Sequence, residues 1–333
     1  YGADGVRYGL MSSAAAGGDI LFDDKLCENG RNFCNKLWNA LRLIKGWQVI
    51  EKPENESIAR KNELAVRWMR EKLSATLVEV ESNFKSFRLS EALMSLYGLI
   101  WDDFCSWYLE MIKPGYEQPI DRATLEATNK LYADLMVAMH PFMPFITEEI
   151  WHQLEERAEG DDCMRQSYPT PGAVDTQFVR SVETAKQVIA GIRDVRNQNQ
   201  IKPREELTVY VQNSDSARAL YALPGLSDMV VKLAVLSSLT LSDTEPANNK
   251  SFISSTEKYF VEFEQEMDVE AEIEKLTKEL EYQKGFLRGV DAKLSNERFV
   301  AGAPAQVLEN ERRKQADALA RIGIIEESLK KLS

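Results

Sequence analysis

Cysteine, histidine and long apolar runs are scarce in this sequence, and each scarcity excludes a class of protein. The cysteines have neither CxxC spacing nor a paired framework, so we expect free thiols in a reducing cytosol; they are Cys27, Cys34, Cys105 and Cys163. No run of about 18 apolar residues occurs, which argues against a membrane span. The chain opens at Tyr1 with neither a signal pattern nor a starting methionine, and we expect it to be part of a longer protein.

The sequence also lacks the combinations of residues that form an active site. It contains only two histidines, and His140, which precedes a proline, is expected to be a packed or capping residue. Cys105 lies among aromatic residues and is expected to be buried and inert. Asp102-Asp103 and Glu148-Glu149 are neighbours on predicted helices and cannot face each other, so we expect solvated or capping acids. No glycine-rich phosphate loop of the right form occurs.

The composition predicts a folded protein of two or three domains with an acidic surface. The 333 residues are 44% apolar and carry a net charge of −12. Basic residues nevertheless concentrate in three stretches, 25–45, 60–72 and 180–204. These stretches are either binding faces or chance clusters, and composition alone does not distinguish the two.

The first basic stretch, KLCENGRNFCNKLWNALRLIK, has the period of an amphipathic helix. Phe33, Leu37, Leu41 and Ile44 form its apolar face. Five basic residues stand against one acid in this stretch, and the polar side is rich in asparagine. Lys and Arg neutralise phosphates, and Asn hydrogen-bonds to base edges, so the face suits nucleic acid. An ordinary solvated helix face remains the alternative.

The pattern along the chain changes twice. Apolar helical periods continue to about residue 165, including one helix expected over Leu89–Ile112 and another capped by Asp121. A Pro- and Gly-containing linker, 166–175, leads to a helix over Thr176–Gln198. Strands are then predicted at Leu207–Val211, 237–242 and 258–263, with a short helix near 226–236. The fold class is therefore mainly α, with a small α/β domain.

The last segment carries a heptad seam, in which apolar positions alternate steps of four and three. The seam breaks at NERFVAGAP and then resumes, which predicts an antiparallel coiled-coil hairpin. Its positions are Val269, Ile273, Leu276, Leu280, Gln283, Leu287, Val290 and Leu294, then Leu308, Glu311, Gln315, Ala318, Ile322, Ile325, Leu329 and Leu332.

Four stretches together resemble the C-terminal half of bacterial valyl-tRNA synthetase, a class I aminoacyl-tRNA synthetase. They are GADGVRYGL, RNFCNKLWNALR, MHPFMPFITEEIW and the terminal hairpin with LSNERFVAGAP. The resemblance covers essentially the whole chain. HPFMPFITEEIW is shared with the isoleucine and leucine enzymes, whereas NFCNKLWNA and the hairpin are more specific to the valine enzyme. The isoleucine enzyme typically ends in a zinc site, for which this chain has no CxxC ligands.

The resemblance implies three domains and a parent enzyme. An anticodon-binding helical bundle would span 1–165, with 1–20 the tail of the catalytic region. A connecting α/β domain would span 166–265, and a tRNA-binding coiled-coil arm 266–333. The parent would join valine to tRNA(Val) through an adenylate made from ATP, with Mg²⁺. Its HIGH and KMSKS signatures are missing here, so the resemblance implies an inactive part without cofactor or metal.

The resemblance also implies partners and contact residues. The partners would be tRNA(Val) and the protein's own catalytic and editing domains, in a cytoplasmic monomer that binds no membrane. Lys36 and Asn39 would hydrogen-bond an anticodon base and Leu43 would contact it, with phosphates held by Arg31, Asn35 and Arg42. Secondary candidates are Arg60, Arg67, Arg70, Lys275, Lys278, Arg312 and Arg313.

Two other functions remain open at this stage. One is a protein–protein interaction module with a coiled-coil lever. The other is the equivalent half of an isoleucine or leucine enzyme.

Overall fold

The structure is a computed structural model, and it describes residues 1–14, 23–247, 249–262, 269–296, 299 and 302–332. The side chains of residues 269–272, 274–275, 305 and 331–332 are not part of this description. The chain forms two compact units. The first comprises Tyr1–Val182 with Pro224–Met229, and the second Glu183–Leu223 with Val230–Ser333. The division into 1–165, 166–265 and 266–333 stays a prediction.

The first unit is built of helices, with one short pair of strands. Strands β1 (Val49–Ile50) and β2 (Ile120–Asp121) pair in parallel. The helices are α1 Ala3–Ser12, α2 Asp24–Lys45, α3 Glu56–Lys85, α4 Leu89–Gly98, α5 Leu109–Ile112, α6 Arg122–Met139, α7 Pro144–Leu154 and the start of α8, Thr176–Gln198.

Side-chain caps fix where three of these helices begin. Asp23, Asn55 and Asp121 adopt extended backbone conformations and accept hydrogen bonds from the first turns of α2, α3 and α6. The Asp121 carboxylate accepts the backbone N–H of Thr124 at 2.9 Å. The capping role predicted for Asp121 is therefore confirmed.

The apolar helix expected over Leu89–Ile112 is helical throughout, but its middle is not an α-helix. Leu99–Tyr108 forms a π-helix between α4 and α5. The Ser106 hydroxyl donates to the carbonyl of Trp101, five residues earlier, at 2.8 Å. Where α4 passes into this segment, the Tyr97 and Trp101 rings stack with their centroids 5.6 Å apart. The expectation of one regular helix is therefore corrected.

Helix α2 is held in place by its buried apolar face and by its close contact with α1. Its apolar residues Phe33, Leu37, Leu41 and Ile44 are each at most 2% exposed, as predicted. Against α1, backbones meet so closely that a Cβ on Gly30 would lie 2.7 Å from the carbonyl oxygen of Gly5. Such burial and close approach leave α2 little freedom to rotate or shift.

The second unit contains a four-stranded sheet in the order β4-β3-β6-β5. β3 and β4 are parallel, and the other neighbouring pairs are antiparallel. The predicted strands are present, whereas β5 and α9 were not predicted. The elements are β3 Leu207–Gln212, α9 Asp215–Tyr221, α10 Leu226–Ala234, which begins in the first unit, β4 Leu236–Ser242, β5 Asn249–Ser254 and β6 Glu257–Glu262.

The C-terminal segment is a pair of antiparallel helices, α11 (Val269–Leu294) and α12 (Ala305–Leu332). Their antiparallel orientation follows from the ion pairs between them, because Lys293 pairs with Glu311 whereas Lys284 pairs with Glu326. The buried seam positions recur every seven residues: Leu276, Gln283, Val290, and Glu311, Ala318, Ile325. The structure confirms the predicted antiparallel pair and its seam; the supercoil itself stays a prediction.

No membrane-spanning helix is found in the part of the chain described above. None of its helices combines the length and the apolar character that crossing a bilayer requires.

Candidate nucleic-acid interface

A stripe of four polar side chains runs along the exposed face of α2. Arg31, Asn35, Asn39 and Arg42 follow one another at helical spacing, and all four are exposed. The opposite face of the same helix carries the buried apolar residues described above. The stripe therefore stands on a rigid support that presents cations and amides together to solvent.

Most of this stripe is free to bind a partner. Within the described part of the chain, the side chains of Asn35, Asn39 and Arg42 form no hydrogen bond or ion pair. Arg31 pairs with Glu28 at 3.2 Å, and both side chains are about half exposed. An exposed pair of this kind contributes about 0–1 kcal/mol, so a phosphate can replace Glu28 at little cost.

Lys36 and Leu43 lie at one edge of the stripe and are half-buried. The Lys36 ammonium sits 5.1 Å from the ring centroid of Trp101, in the π-helix. This cation–π contact holds Lys36 beside an aromatic ring that is itself only half-buried. Trp101 was not among the predicted site residues. Its sequence neighbourhood, SLYGLIWDDF, indicates only an apolar helix, and the folded contact alone brings Trp101 to α2.

Two of the secondary candidates on α3 are engaged within the first unit. Arg60 pairs with Asp228 at 3.2 Å. Arg67 pairs with Glu71 at 2.8 Å and with Asp175 at 3.0 Å, just before α8. The hydrogen bond that Arg67 donates to Glu71 raises the pKa of the guanidinium. These contacts fasten chain segments together.

The remaining candidate on α3 is Arg70, which is exposed. In the described part of the chain its guanidinium makes no hydrogen bond or ion pair. It stays a candidate for phosphate contact.

The basic stretch 180–204 includes an arginine with a structural task. Arg196 is 6% exposed and donates to four backbone carbonyls, those of Lys202, Glu205, Ala234 and Val235, at 2.7–3.1 Å. Its burial lowers the pKa of the guanidinium. Arg196 therefore closes loops around β3 and β4 and is not available to a ligand.

On the C-terminal helices, Lys278, Arg312 and Arg313 are exposed, and the side chain of Lys275 lies outside the described residues. The structure adds two aromatic residues that the sequence analysis did not single out. Tyr282 is 70% exposed and Phe286 is 40% exposed. With Lys278 they follow one another every four residues, along one side of α11. The sequence did contain a signal for them, because both aromatic residues lie outside the heptad seam.

The residues with possible catalytic chemistry are structural, as expected. His140 ends α6, and its Nδ1 lies 2.8 Å from the Thr147 hydroxyl. Burial raises the pKa of Cys105 to about 12, so this thiol stays protonated.

The neighbouring carboxylates do not work as pairs. Asp103 binds Lys72 at 2.9 Å, whereas Asp102 is exposed. Glu148 accepts backbone N–H groups at Cys163 and Met164, whereas Glu149 accepts from Gln153. The expectation of capping or solvated acids is therefore confirmed for Asp102, Glu148 and Glu149, and it is wrong for Asp103, which is largely buried in its ion pair with Lys72.

Two family models match the chain. The anticodon-binding domain of tRNA ligase matches residues 66–211, and the valyl tRNA synthetase tRNA binding arm matches residues 268–333. The second match covers α11 and α12. Helix α2 precedes both matched ranges, so its assignment depends on its own geometry.

Full-length relatives of the chain are valine–tRNA ligases. The protein of Parabacteroides distasonis is 46% identical over 338 residues, covering 100% of this chain and 37% of the relative. Those of Bacteroides thetaiotaomicron and Porphyromonas gingivalis are 47% and 42% identical over 331 and 332 residues. The chain spans about 37% of the length of these relatives.

Proposed function

Because the chain belongs to the valyl-tRNA synthetase family, whose C-terminal part it represents, we propose that it binds tRNA(Val) for a valine–tRNA ligase. The whole protein would activate valine with ATP and transfer it to tRNA. This chain holds neither HIGH nor KMSKS, so the residues present do not fit ATP and Mg²⁺. Its own task would be recognition of the tRNA.

The exposed stripe on α2 is the observation that supports this proposal most strongly. An unstacked anticodon base needs hydrogen bonds to its edge, a flat surface against its ring and a cation near its phosphate. Asn35 and Asn39 supply uncommitted amides, and Arg31 and Arg42 supply the cations. Lys36 and Leu43 line the edge of the same face.

Trp101 would complete this surface. A leucine gives a base only an apolar contact, whereas an indole ring can stack on it. The Lys36 ammonium already lies near this ring, so both groups can meet the same nucleotide. We therefore add Trp101 to the six residues of α2 as an anticodon contact.

The C-terminal helices would contact the tRNA elbow through stacking more than through charge. Residues 268–333 carry 12 basic and 13 acidic residues, so the segment is nearly neutral. Exposed Tyr282 and Phe286 offer ring surfaces, and Lys278, Arg312 and Arg313 offer local cations. Lys275 stays in this set as a proposal from sequence.

Salt dependence tests this function against a protein–protein interaction module. Replacement of Arg31 and Arg42 by Ala should weaken binding of a valine tRNA transcript and reduce the slope of log K against log salt by about 0.7 per lost phosphate contact. Tyr282→Ala should weaken binding and leave the slope unchanged. Arg88→Ala, an exposed arginine on another element, is the control. Salt-independent binding, or none to any tRNA, would favour the interaction module.

Compartment and oligomeric state complete the proposal. A tRNA ligase works where translation runs, so we place the protein in the cytoplasm. A monomer is proposed because one copy offers both tRNA-contact surfaces. Sedimentation of the chain with and without tRNA would check this, and a dimer in both conditions would contradict it.

A further inference from the structure

Three side chains with metal-binding chemistry meet at α7 and the loop that follows it, and none of them is among the residues assigned to tRNA above. Glu148 and His152 lie one turn apart on α7, and Asp162 comes from the loop that follows. The His152 Nε2 atom is 3.2 Å from an oxygen of Glu148 and 3.4 Å from an oxygen of Asp162. All three potential ligand atoms lie within 4.8 Å of one another.

The backbone holds these groups in place before any ligand arrives. The Glu148 carboxylate accepts the N–H of Cys163 at 2.7 Å and that of Met164 at 3.2 Å. The carbonyl of Asp162 accepts the Arg165 N–H and the Gln166 amide, at 3.1 and 3.0 Å. Outer contacts of this kind orient metal ligands and reduce the entropy lost on binding.

The charges of the cluster favour a cation. Two carboxylates converge on one imidazole, and like charges so close repel one another. Among the described residues, no Lys or Arg forms an ion pair with Glu148 or Asp162. The other group facing Glu148 is His140, whose Nε2 is 3.9 Å away. A metal ion bound here would neutralise both carboxylates.

The spacing fits a metal ion of the zinc type. A tetrahedral Zn²⁺ site with bonds of about 2.0–2.1 Å has neighbouring ligand atoms about 3.3 Å apart. The two distances from His152 Nε2 match this edge length. One nitrogen and two carboxylate oxygens are ligands that Zn²⁺ accepts. Partial exposure of the three side chains lets a water molecule complete the shell.

We propose that Glu148, His152 and Asp162 form a Zn²⁺ site that ties the loop after α7 to that helix. Cys163 is left out of the ligand set because it is 1% exposed. The site does not depend on tRNA binding, since it stands on the geometry of α7 and its loop.

Metal titration of the 333-residue chain tests the site directly. Zn²⁺ should bind with one ion per chain in calorimetry and raise the melting temperature. Co²⁺ in its place should give the intense visible bands of a tetrahedral ion, without the sulfur charge-transfer band that cysteine ligands produce. Binding should weaken as the pH falls, because the imidazole must be unprotonated to bind metal.

Two matched pairs of variants locate the ion. His152→Ala and Glu148→Gln should each weaken binding by more than about tenfold. His140→Ala and Glu149→Gln should leave it unchanged, and circular dichroism checks that all four are folded. Absence of stoichiometric binding, its survival in His152→Ala, or a sulfur charge-transfer band would each overturn the proposal.

Discussion

The carboxylate of Asp4, in α1, accepts the backbone N–H of Ile146, in the first turn of α7, at 2.6 Å. It also accepts the N–H of Phe145 at 3.3 Å. The residue at the N-cap position, Met143, offers no side-chain cap, so a helix distant in sequence supplies it. From the same helix, Arg7 donates to the carbonyl of Phe142 at 3.0 Å. The segment GADGVR thus fastens the turn HPFMPF.

Asp4→Ala should destabilise the first unit. Asp4 is 5% exposed, and loss of a helix cap costs about 0.5–2 kcal/mol. Urea unfolding should show a lower midpoint with an unchanged slope. Asp24→Ala, which removes an exposed carboxylate from the first turn of α2, is the control. Equal unfolding curves for Asp4→Ala and the wild type would show that the cap is unimportant.

Arg196→Met should destabilise the second unit more strongly. The substitution removes four hydrogen bonds, and hydrogen bonds to charged groups contribute about 1.5–3 kcal/mol each. The carbonyls of Lys202 and Val235 keep a backbone donor, at 3.1 and 3.2 Å. We expect the free energy of unfolding to fall by about 3 kcal/mol, because some of the carbonyls will accept hydrogen bonds from water instead. Arg204→Met, at an exposed position nearby in the chain, should change little. A small effect at Arg196 would mean that the loops close without it.

Two Gly→Ala substitutions should change the stability of the protein in opposite directions. A Cβ on Gly30 would lie 2.7 Å from the Gly5 carbonyl oxygen, and such overpacking costs about 1–3 kcal/mol. At Gly323, in α12, nothing lies within 4 Å, and Ala should stabilise the helix by about 0.5–1 kcal/mol. Thermal unfolding of both variants measures the difference. A stabilising effect of Gly30→Ala would contradict the close packing of α1 on α2.

Buried thiols should make the protein less stable in alkali. Burial raises the pKa of Cys34 to about 11 and that of Cys105 to about 12, above the ordinary value of a thiol. The unfolded chain therefore loses these protons first, and stability present below pH 9 falls as the pH rises through 11 to 12. Thiol labelling at pH 8 should be slow in the native protein and fast in urea. Fast native labelling of Cys105 would contradict its burial.

Local patterns in the sequence were sufficient for most helices and for the heptad seam. The 3.6-residue period of α2 and the seven-residue recurrence in α11 and α12 predict apolar positions that are buried in the structure. The π turn at Leu99–Tyr108 was missed, because apolar residues all around a buried segment do not show how its backbone is hydrogen-bonded. β5 was missed because its alternation in polarity is weak.

The candidate site was predictable only where one helix carries it. Asn35 and Asn39 share a face by spacing alone. Trp101 reaches Lys36, and Asp162 reaches His152, only through tertiary folding, so periodicity gave no signal for either contact. The structural engagement of Arg60 and Arg67 was hidden for the same reason, since their partners Asp228 and Asp175 are more than 100 residues away.

A thermodynamic cycle between α2 and the anticodon tests the central proposal most directly. Dissociation constants would be measured for the wild-type chain and for Asn35→Ala/Asn39→Ala, each with a valine tRNA and with an anticodon-substituted tRNA. Gln177→Ala, an exposed amide on α8, serves as the control. We predict that the anticodon change weakens the binding free energy by about 1–3 kcal/mol for the wild type and by much less for the double variant. Additive losses, with the anticodon penalty intact in the double variant, would show that α2 does not contact the anticodon.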